Sequence, residues 1–398
     1  MRAARNAFAE FFRTEAAGGA ILVACAAASL VIANSAWADA YHHVLEATII
    51  GSAGTGLLSL TLHQWINDAL MAVFFLLVGL EIKREALAGE LSSLRQAALP
   101  TAGAVGGMVV PALLYLLTHG GGLASRGWAI PMATDIAFAL GVLALVAPRA
   151  PAGLKVFLAA SAIVDDMGAV LVIALFYTNA IAWGALAIAG LILALLIGLN
   201  ALQVRHLTPY LVLGVALWFF VHESGVHATI AGVLLAFTIP ASGRPISGHA
   251  LISPLVRLEH ALHRFTAFVV MPLFALSNAG VTLTGSFGAG VSGAVILALA
   301  IGKPLGITAA AMAAVRLRLA ALPDGVTWMA LHGCAWLGGI GFTMSLFIAR
   351  LAFEGTTLLD AARVGILAGS LLAGVVGAFF VRRGTRLQPA PSAVALQV

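Results

Sequence analysis

The sequence predicts an all-α polytopic membrane protein of about 12 transmembrane helices. Two of these helices are broken, spans 3–5 and 10–12 form inverted-topology repeats, and one short outer β-hairpin is present. Three observations carry this reading. Hydrophobic residues make up 61% of the 398 residues and charged residues only 9%, whereas a soluble domain carries about 25% charged residues. Apolar runs recur along the chain, most of them near the roughly 20 residues that a helix needs to cross a bilayer. The basic residues fall almost wholly on one side of the implied membrane.

The first run, 16–36, follows Arg2, Arg5 and Arg13. With Ala36-Trp37-Ala38 behind it, this has the outline of a secretory signal peptide. The run is as long as a span, however, and Glu10 and Glu15 precede it, so it reads as a retained helix. His43–Leu62 holds Gly51-Ser52-Ala53-Gly54-Thr55-Gly56 between β-branched or apolar stretches, the pattern of a hairpin on the outer surface. Further spans follow at 65–82, 98–118, 128–147, 154–177, 181–200, 208–221, 226–240, 260–278, 292–314, 328–350 and 361–381. The runs 208–221 and 226–240 are short and suit tilted or half-buried pieces. No polar or repetitive stretch marks a linker, so 1–386 reads as a single domain, with 387–398 as a disordered cytoplasmic tail.

The net charge of +5 could suggest a nucleic-acid partner, but the positions exclude it. With both termini cytoplasmic, the inner segments hold Arg2, Arg5, Arg13, Lys83, Arg84, Arg95, Arg149, Lys155, Arg205, Arg244, Arg257, Arg264, Arg316, Arg318, Arg382, Arg383 and Arg386. The outer segments hold only Arg126, Arg350 and Arg363, and Lys303 alone lies within a span. The basic balance therefore reports topology. Cys25 and Cys334 both lie in apolar spans and imply neither a disulfide framework nor a metal site.

Two spans are interrupted at their middles. The fourth carries Pro131 and then Thr134-Asp135; the eleventh carries Gly338, Gly339 and Gly341, followed by Thr343. Non-helical backbone at membrane depth is tolerated only where it is buried in protein or lines a cavity. By the charge distribution the two broken spans run in opposite directions, which makes spans 3–5 and 10–12 two units of inverted orientation. Such paired interruptions point to a transporter binding site. Broken helices leave positive N-terminal and negative C-terminal ends at mid-membrane, and Asp135 and Lys303 lie at the depth to offset them.

Asp165 and Asp166 stand side by side in the run 154–177. A charge at the bilayer centre costs roughly 2.5–3.5 kcal/mol on insertion scales, so Asp135, Asp165, Asp166 and Lys303 must pair or face water. Adjacent helical residues point about 100° apart. One aspartate can face a water-filled cavity while the other meets Lys303. Carboxylate, Thr134 hydroxyl and backbone carbonyl oxygens suit a hard cation, in competition with protons. Near the inner face, Glu81, Arg84 and Glu85 end the second span, and Glu259, His260 and His263 begin the ninth. Histidines beside carboxylates titrate near neutral pH, so this group reads as a pH sensor or ion funnel, or else as an ordinary charged rim. His222, Glu223 and His227 form a weaker group near an outer end.

Several stretches together resemble the NhaA family of sodium/proton antiporters: Phe74–Glu81, Ala133–Ala139, Asp165-Asp166, Ser224–Thr229, Arg257–His260, Ile301–Gly306 and Gly339–Ser345. The resemblance covers nearly the whole chain in order. It implies an electrogenic exchanger of the bacterial inner membrane that expels Na+ or Li+ against H+ and needs no cofactor. It implies Asp166 as the main ion ligand and proton carrier with Asp165 beside it, and Asp135 and Lys303 as charge compensators. Glu81, Arg84, Glu85, Glu259, His260 and His263 would match the family's pH-response cluster, with His227 also tied to it. A homodimer formed through the outer hairpin is implied as well. Two departures stand out: Val256 occupies the position before Arg257 where a second basic residue is expected, and the Gly51–Gly56 segment is short.

Other function classes fit less well. A sodium-coupled symporter for an organic solute needs a larger polar or aromatic pocket than these spans offer. Intramembrane aspartyl proteases need a Gly-x-Gly-Asp element and prenyl transferases Asp-Asp-x-x-Asp, whereas Asp166 is followed by Met167-Gly168-Ala169. An enzymatic role is therefore not expected.

Overall fold

A computed structural model describes residues 2–50, 60–178, 181–241, 253–282 and 290–386. Helix α1 (Arg2–Ala33) is followed by α2 (Ala38–Glu46), which turns away from it by 114°. Strands β1 (Thr48–Ile50) and β2 (Leu60–Thr61) pair antiparallel, Thr48 opposite Thr61 and Ile50 opposite Leu60. The glycine-rich turn expected at Gly51–Gly56 lies outside the described residues, as does the expected tail 387–398. The second strand runs into α3 (Leu62–Ala88) through a capping box in which the Thr61 hydroxyl accepts from Gln64 N and Gln64 Oε1 accepts from Thr61 N.

Helix α4 (Leu94–His119) keeps Pro100 and Pro111 inside it, as membrane helices allow when neighbours re-satisfy the freed carbonyls. Separately, Ser161 Oγ donates to Pro100 O at 3.2 Å. A 3-10 half-helix (Gly122–Met132) then meets α5 (Ile136–Val146) at 47°. Helices α6 (Ala152–Phe176), α7 (Trp183–Ala201) and α8 (Leu207–Glu223) follow. Helix α9 (Ile230–Thr238) has 9 residues, about 13 Å at the usual rise. It cannot cross a bilayer alone, which matches the half-buried piece expected for 226–240. Lys83 Nζ caps its far end, donating to Phe237 O and Ile239 O at 2.7 and 2.6 Å. The helix α10 (254–278), α11 (Gly290–Arg316), α12 (Trp328–Gly338), α13 (Phe342–Phe353) and α14 (Leu358–Arg386) complete the chain, with 41° between α12 and α13.

Among the described residues, six helices are long and apolar enough to cross a membrane, or nine if each bent pair counts as one span. Their side chains pack into two apolar clusters. The larger draws on α1, α3–α6 and α10–α14; the smaller joins Leu76 and Leu80 of α3 to α7, α8, α9 and the start of α10. Helices α4 and α11 cross at very close range. A Cβ on Gly106 would lie 2.2 Å from Gly306 O, and one on Gly306 would lie 2.2 Å from Gly106 O. Only glycine at both positions allows this approach, and it carries α11, with Lys303, into the centre of the larger cluster.

Three helices each contain one π-helical turn: Ile66–Leu70 in α3, Thr266–Val270 in α10 and Ala298–Gly302 in α11. A π turn shifts the faces that follow it and is common at functional sites. The one in α11 ends at the residue before Lys303.

Candidate functional site

The two interruptions cross near the middle of the bundle. In the first, Ala133 and Asp135 have extended backbone. In the second, Gly339 and Gly341 flank Ile340. Asp135 N donates to Ile340 O at 2.7 Å, which ties one break to the other. Pro131 sits inside the 3-10 half-helix rather than at the interruption. The break is set instead by Asp135, whose Oδ1 accepts from Phe138 N at 3.0 Å and so caps α5. Gly338 is the last residue of α12, and Gly339 and Gly341 lie in the irregular stretch beyond it.

Three half-helix ends are neutralised here by a charge of the appropriate sign, and the fourth meets a neutral hydroxyl. Asp135 Oδ2 accepts from Thr343 N at 3.2 Å and from Thr343 Oγ1 at 2.5 Å. One carboxylate therefore faces the positive N-termini of both α5 and α13. Lys303 Nζ donates to Met132 O, the last carbonyl of the 3-10 half-helix. Thr134 Oγ1 lies 2.8 Å from Gly338 O, the last carbonyl of α12. Ser345 Oγ adds a bond to Ile130 O at 2.7 Å.

The paired aspartates diverge, as adjacent helical residues must. Asp165 Oδ2 takes an ion pair from Lys303 Nζ at 2.9 Å and a hydrogen bond from Thr134 Oγ1 at 2.7 Å. Both ions are buried, Lys303 completely. Asp166, also buried, turns to a narrow cleft of about 50 Å3. Thr134, Asp135 and Met344 line that cleft beside it, and Glu81 and His263 line its other end. Asp165 Oδ1 and Asp166 Oδ1 are buried without a hydrogen-bond partner. The arrangement thus holds acceptor oxygens in excess of donors, the condition in which a cation or a proton is bound.

Glu81, Arg84, Glu85, Glu259 and His263 gather at the mouth of the cleft. Arg84 Nε lies 3.1 Å from Glu259 Oε1 and Arg84 Nη2 lies 3.0 Å from Glu85 Oε1. His263 Nδ1 lies 3.8 Å from Glu81 Oε1. Glu259 precedes the apolar stretch 260–278. Burial pushes its carboxyl up to about 7, against the opposing pull of Arg84. His260, on the same helix, is exposed and makes no ion pair among the described residues. His227 lies at the far end of the bundle, its Nδ1 2.8 Å from Thr229 Oγ1 and its ring edge-on to Phe347.

Sequence reasoning noted Thr343 after the second break without giving it a role, and passed over the carbonyls of Met132, Gly338 and Ile340. A hydroxyl two residues after the last glycine of a break was the available signal for Thr343. Arg350, which the sequence placed on the outer side, has a buried side chain, with Nη2 3.1 Å from Glu354 Oε1.

The profile of a family described as Na+/H+ antiporter 1 matches residues 9–381. A protein named Na(+)/H(+) antiporter NhaA from Rhodospirillum rubrum is 51% identical over 395 residues, covering 97% of this chain and 99% of its own length. One of the same name from Escherichia coli UTI89 is 49% identical over 387 residues, covering 95% and 98%. One from Koribacter versatilis is 48% identical over 418 residues, covering 96% and 92%.

Proposed function

Since this chain belongs to the Na+/H+ antiporter 1 family, we propose that it exports sodium or lithium from the bacterial cytoplasm in exchange for protons, by alternating access around Asp165 and Asp166. It is a multi-pass membrane protein and a sodium/proton antiporter rather than an enzyme. The observation that carries the fuller reading is Asp166: a buried carboxyl, one oxygen without a partner, on the wall of a cleft that leads to Glu81 and His263.

Asp166 is the main cation ligand and proton carrier, with Thr134 and backbone carbonyls as further oxygen donors. Asp165, neutralised by Lys303, keeps a second negative charge close without leaving it unpaired. From the cytoplasm the cation displaces protons; facing outward, protons displace the cation. A cleft of about 50 Å3 has room for one or two waters at roughly 30 Å3 each, hence for a small ion but not an organic solute. This size disfavours the symporter reading. Moving one charge across 100 mV is worth about 2.3 kcal/mol, so carrying more than one proton per sodium lets the membrane potential drive export.

The remaining features of the proposal follow the sequence. The end bearing Arg84, Glu85 and Glu259 faces the cytoplasm, as do both termini, and the end bearing Arg350 faces outward. Twelve apolar segments are organised as inverted repeats about the two breaks. Glu81, Arg84, Glu85, Glu259, His260 and His263 set the pH response, with His227 contributing from the other side. Two copies associate through the outer hairpin.

The test is sodium-induced proton efflux from everted vesicles. Asp166→Asn is expected to abolish it while the protein still reaches the membrane. Exchange at the normal rate in that variant would overturn the assignment.

A further inference from the structure

At the end of the bundle remote from Glu259 lies a second and larger cavity, about 240 Å3, which the exchange mechanism above does not use. Gln64, Asn67, Asp68, His222, Arg350 and Glu354 supply its polar wall. We propose that this cavity is an outer docking site for a partly hydrated alkali cation. Asp68 and the Asn67 amide oxygen are its ligands, and Arg350 is the charge that keeps its affinity low. This rests on the antiporter reading, which supplies the ion and its direction.

Asn67 is completely buried. Its Nδ2 donates to His63 O at 2.7 Å, but its Oδ1 has no hydrogen-bond partner. A buried acceptor left unmatched is destabilising. The next residue, Asp68, presents its carboxyl to the same cavity, and the charged or titratable groups around it are Arg350, His222 and Glu354. Both oxygen-bearing side chains stand on the π turn Ile66–Leu70, where Asp68 O accepts from Met71 N and also from Trp218 Nε1 at 3.3 Å. The pairing is uneven. Arg350 spends Nε and Nη2 on a single oxygen of Glu354, at 3.3 and 3.1 Å. With Asp68 and Glu354 both ionised, two carboxylates stand against one guanidinium on the cavity wall, which leaves that wall net negative.

The dimensions suit a transit site. A volume of about 240 Å3 admits roughly eight waters, so an ion here keeps most of its shell. The cavity ends at Phe347, one helical turn along α13 from Met344, which lines the Asp166 cleft. An ion leaving that cleft outward passes within reach of Asp68, and a fixed cation beside it prevents tight rebinding.

Right-side-out and everted vesicles of the full-length protein separate the two faces, with Na+ alone as the probe. The measurement is made at about pH 8.5, roughly two pH units above the usual histidine value. Asp68→Asn is expected to raise the half-saturating Na+ concentration at the outer face by about fivefold, and Arg350→Gln to lower it by a similar factor. The inner-face value should stay within about twofold in both. Equal shifts at the two faces, or no outer shift in either variant, would overturn the proposal. If Asp68→Asn fails to reach the membrane, Arg350→Gln decides alone, because its predicted sign is opposite. Should Asp166→Asn abolish exchange while these variants leave the outer value untouched, only this inference falls. Should Asp166→Asn exchange normally, the earlier reading falls instead.

Discussion

Lys303 Nζ lies 2.9 Å from Asp165 Oδ2 and donates to Met132 O at the same time, so one ammonium serves both a carboxylate and the end of a half-helix. Removing it strands two buried acceptors. Lys303→Met is expected to lower stability by about 3–5 kcal/mol, read as a drop in melting temperature of the purified protein. Lys303→Met combined with Asp165→Asn should recover most of that loss, because the charge at 165 is then removed together with its partner. A double variant as unstable as the single one would show that the Met132 carbonyl, and not Asp165, is what Lys303 holds.

Asp135 caps α5 and also binds both the amide and the hydroxyl of Thr343 at the start of α13. Asp135→Ala loses a cap worth about 0.5–2 kcal/mol and leaves two positive helix ends facing each other. Asp135→Asn keeps an acceptor for Phe138 N but loses the charge. Stability should therefore fall in the order wild type, Asn, Ala, while the half-saturating Na+ concentration rises in both variants. Thermal unfolding and Na+ titration of exchange, run side by side, check the two orders.

Glu259 gives a pH dependence with a definite sign. Its carboxyl is pushed up to about 7 in this conformation, against a usual value of 4.5. The conformation therefore gains stability that is complete below the usual value and is lost as pH rises through about 7. A shift of that size is worth at most about 3 kcal/mol. Raising the pH through this window favours any conformation in which Glu259 is hydrated. Glu259→Gln should flatten the fall in melting temperature between about pH 5 and 8 and shift the pH profile of exchange. An unchanged melting profile would dissociate Glu259 from the response.

Gly306 tests the helix crossing that positions Lys303. A Cβ there would lie 2.2 Å from the Gly106 backbone oxygen and 2.8 Å from Val110 Cβ. Backbone cannot yield as a flexible side chain can. Gly306→Ala is expected to cost about 1–3 kcal/mol and to lower the exchange rate through displacement of Lys303. Gly190→Ala, where a Cβ meets nothing within 4 Å, should leave both readouts near wild type.

The charged centre was legible because charge is scarce in this chain. An aspartate or lysine inside an apolar run announces itself, and Asp135, Asp165, Asp166 and Lys303 could be picked out one by one. Their oxygen partners could not. Thr343 is one hydroxyl among many, and the Met132 and Gly338 carbonyls matter only because a helix stops there. Pro131 drew attention as a helix breaker, yet a 3-10 turn absorbs it and the cap at Asp135 determines where the backbone opens. The π turns left no trace, since Ile66–Leu70 and Ala298–Gly302 read as continuous helix by any hydrophobic period. Arg350 was counted by side and not by depth, because position along a span does not say whether a side chain points to water or into a polar cavity.

The bond between Thr343 and Asp135 joins residues 208 positions apart. At a synthesis rate of about 5–20 residues per second, some 10–40 s separate their emergence from the ribosome. Asp135, Asp165 and Asp166 are all made well before Lys303, and Lys303 before Thr343. The nascent chain must keep three acidic groups out of the lipid, by protonation or by delaying the release of these segments from the insertion machinery. The centre of the finished transporter is thus the last part of it to become a membrane structure.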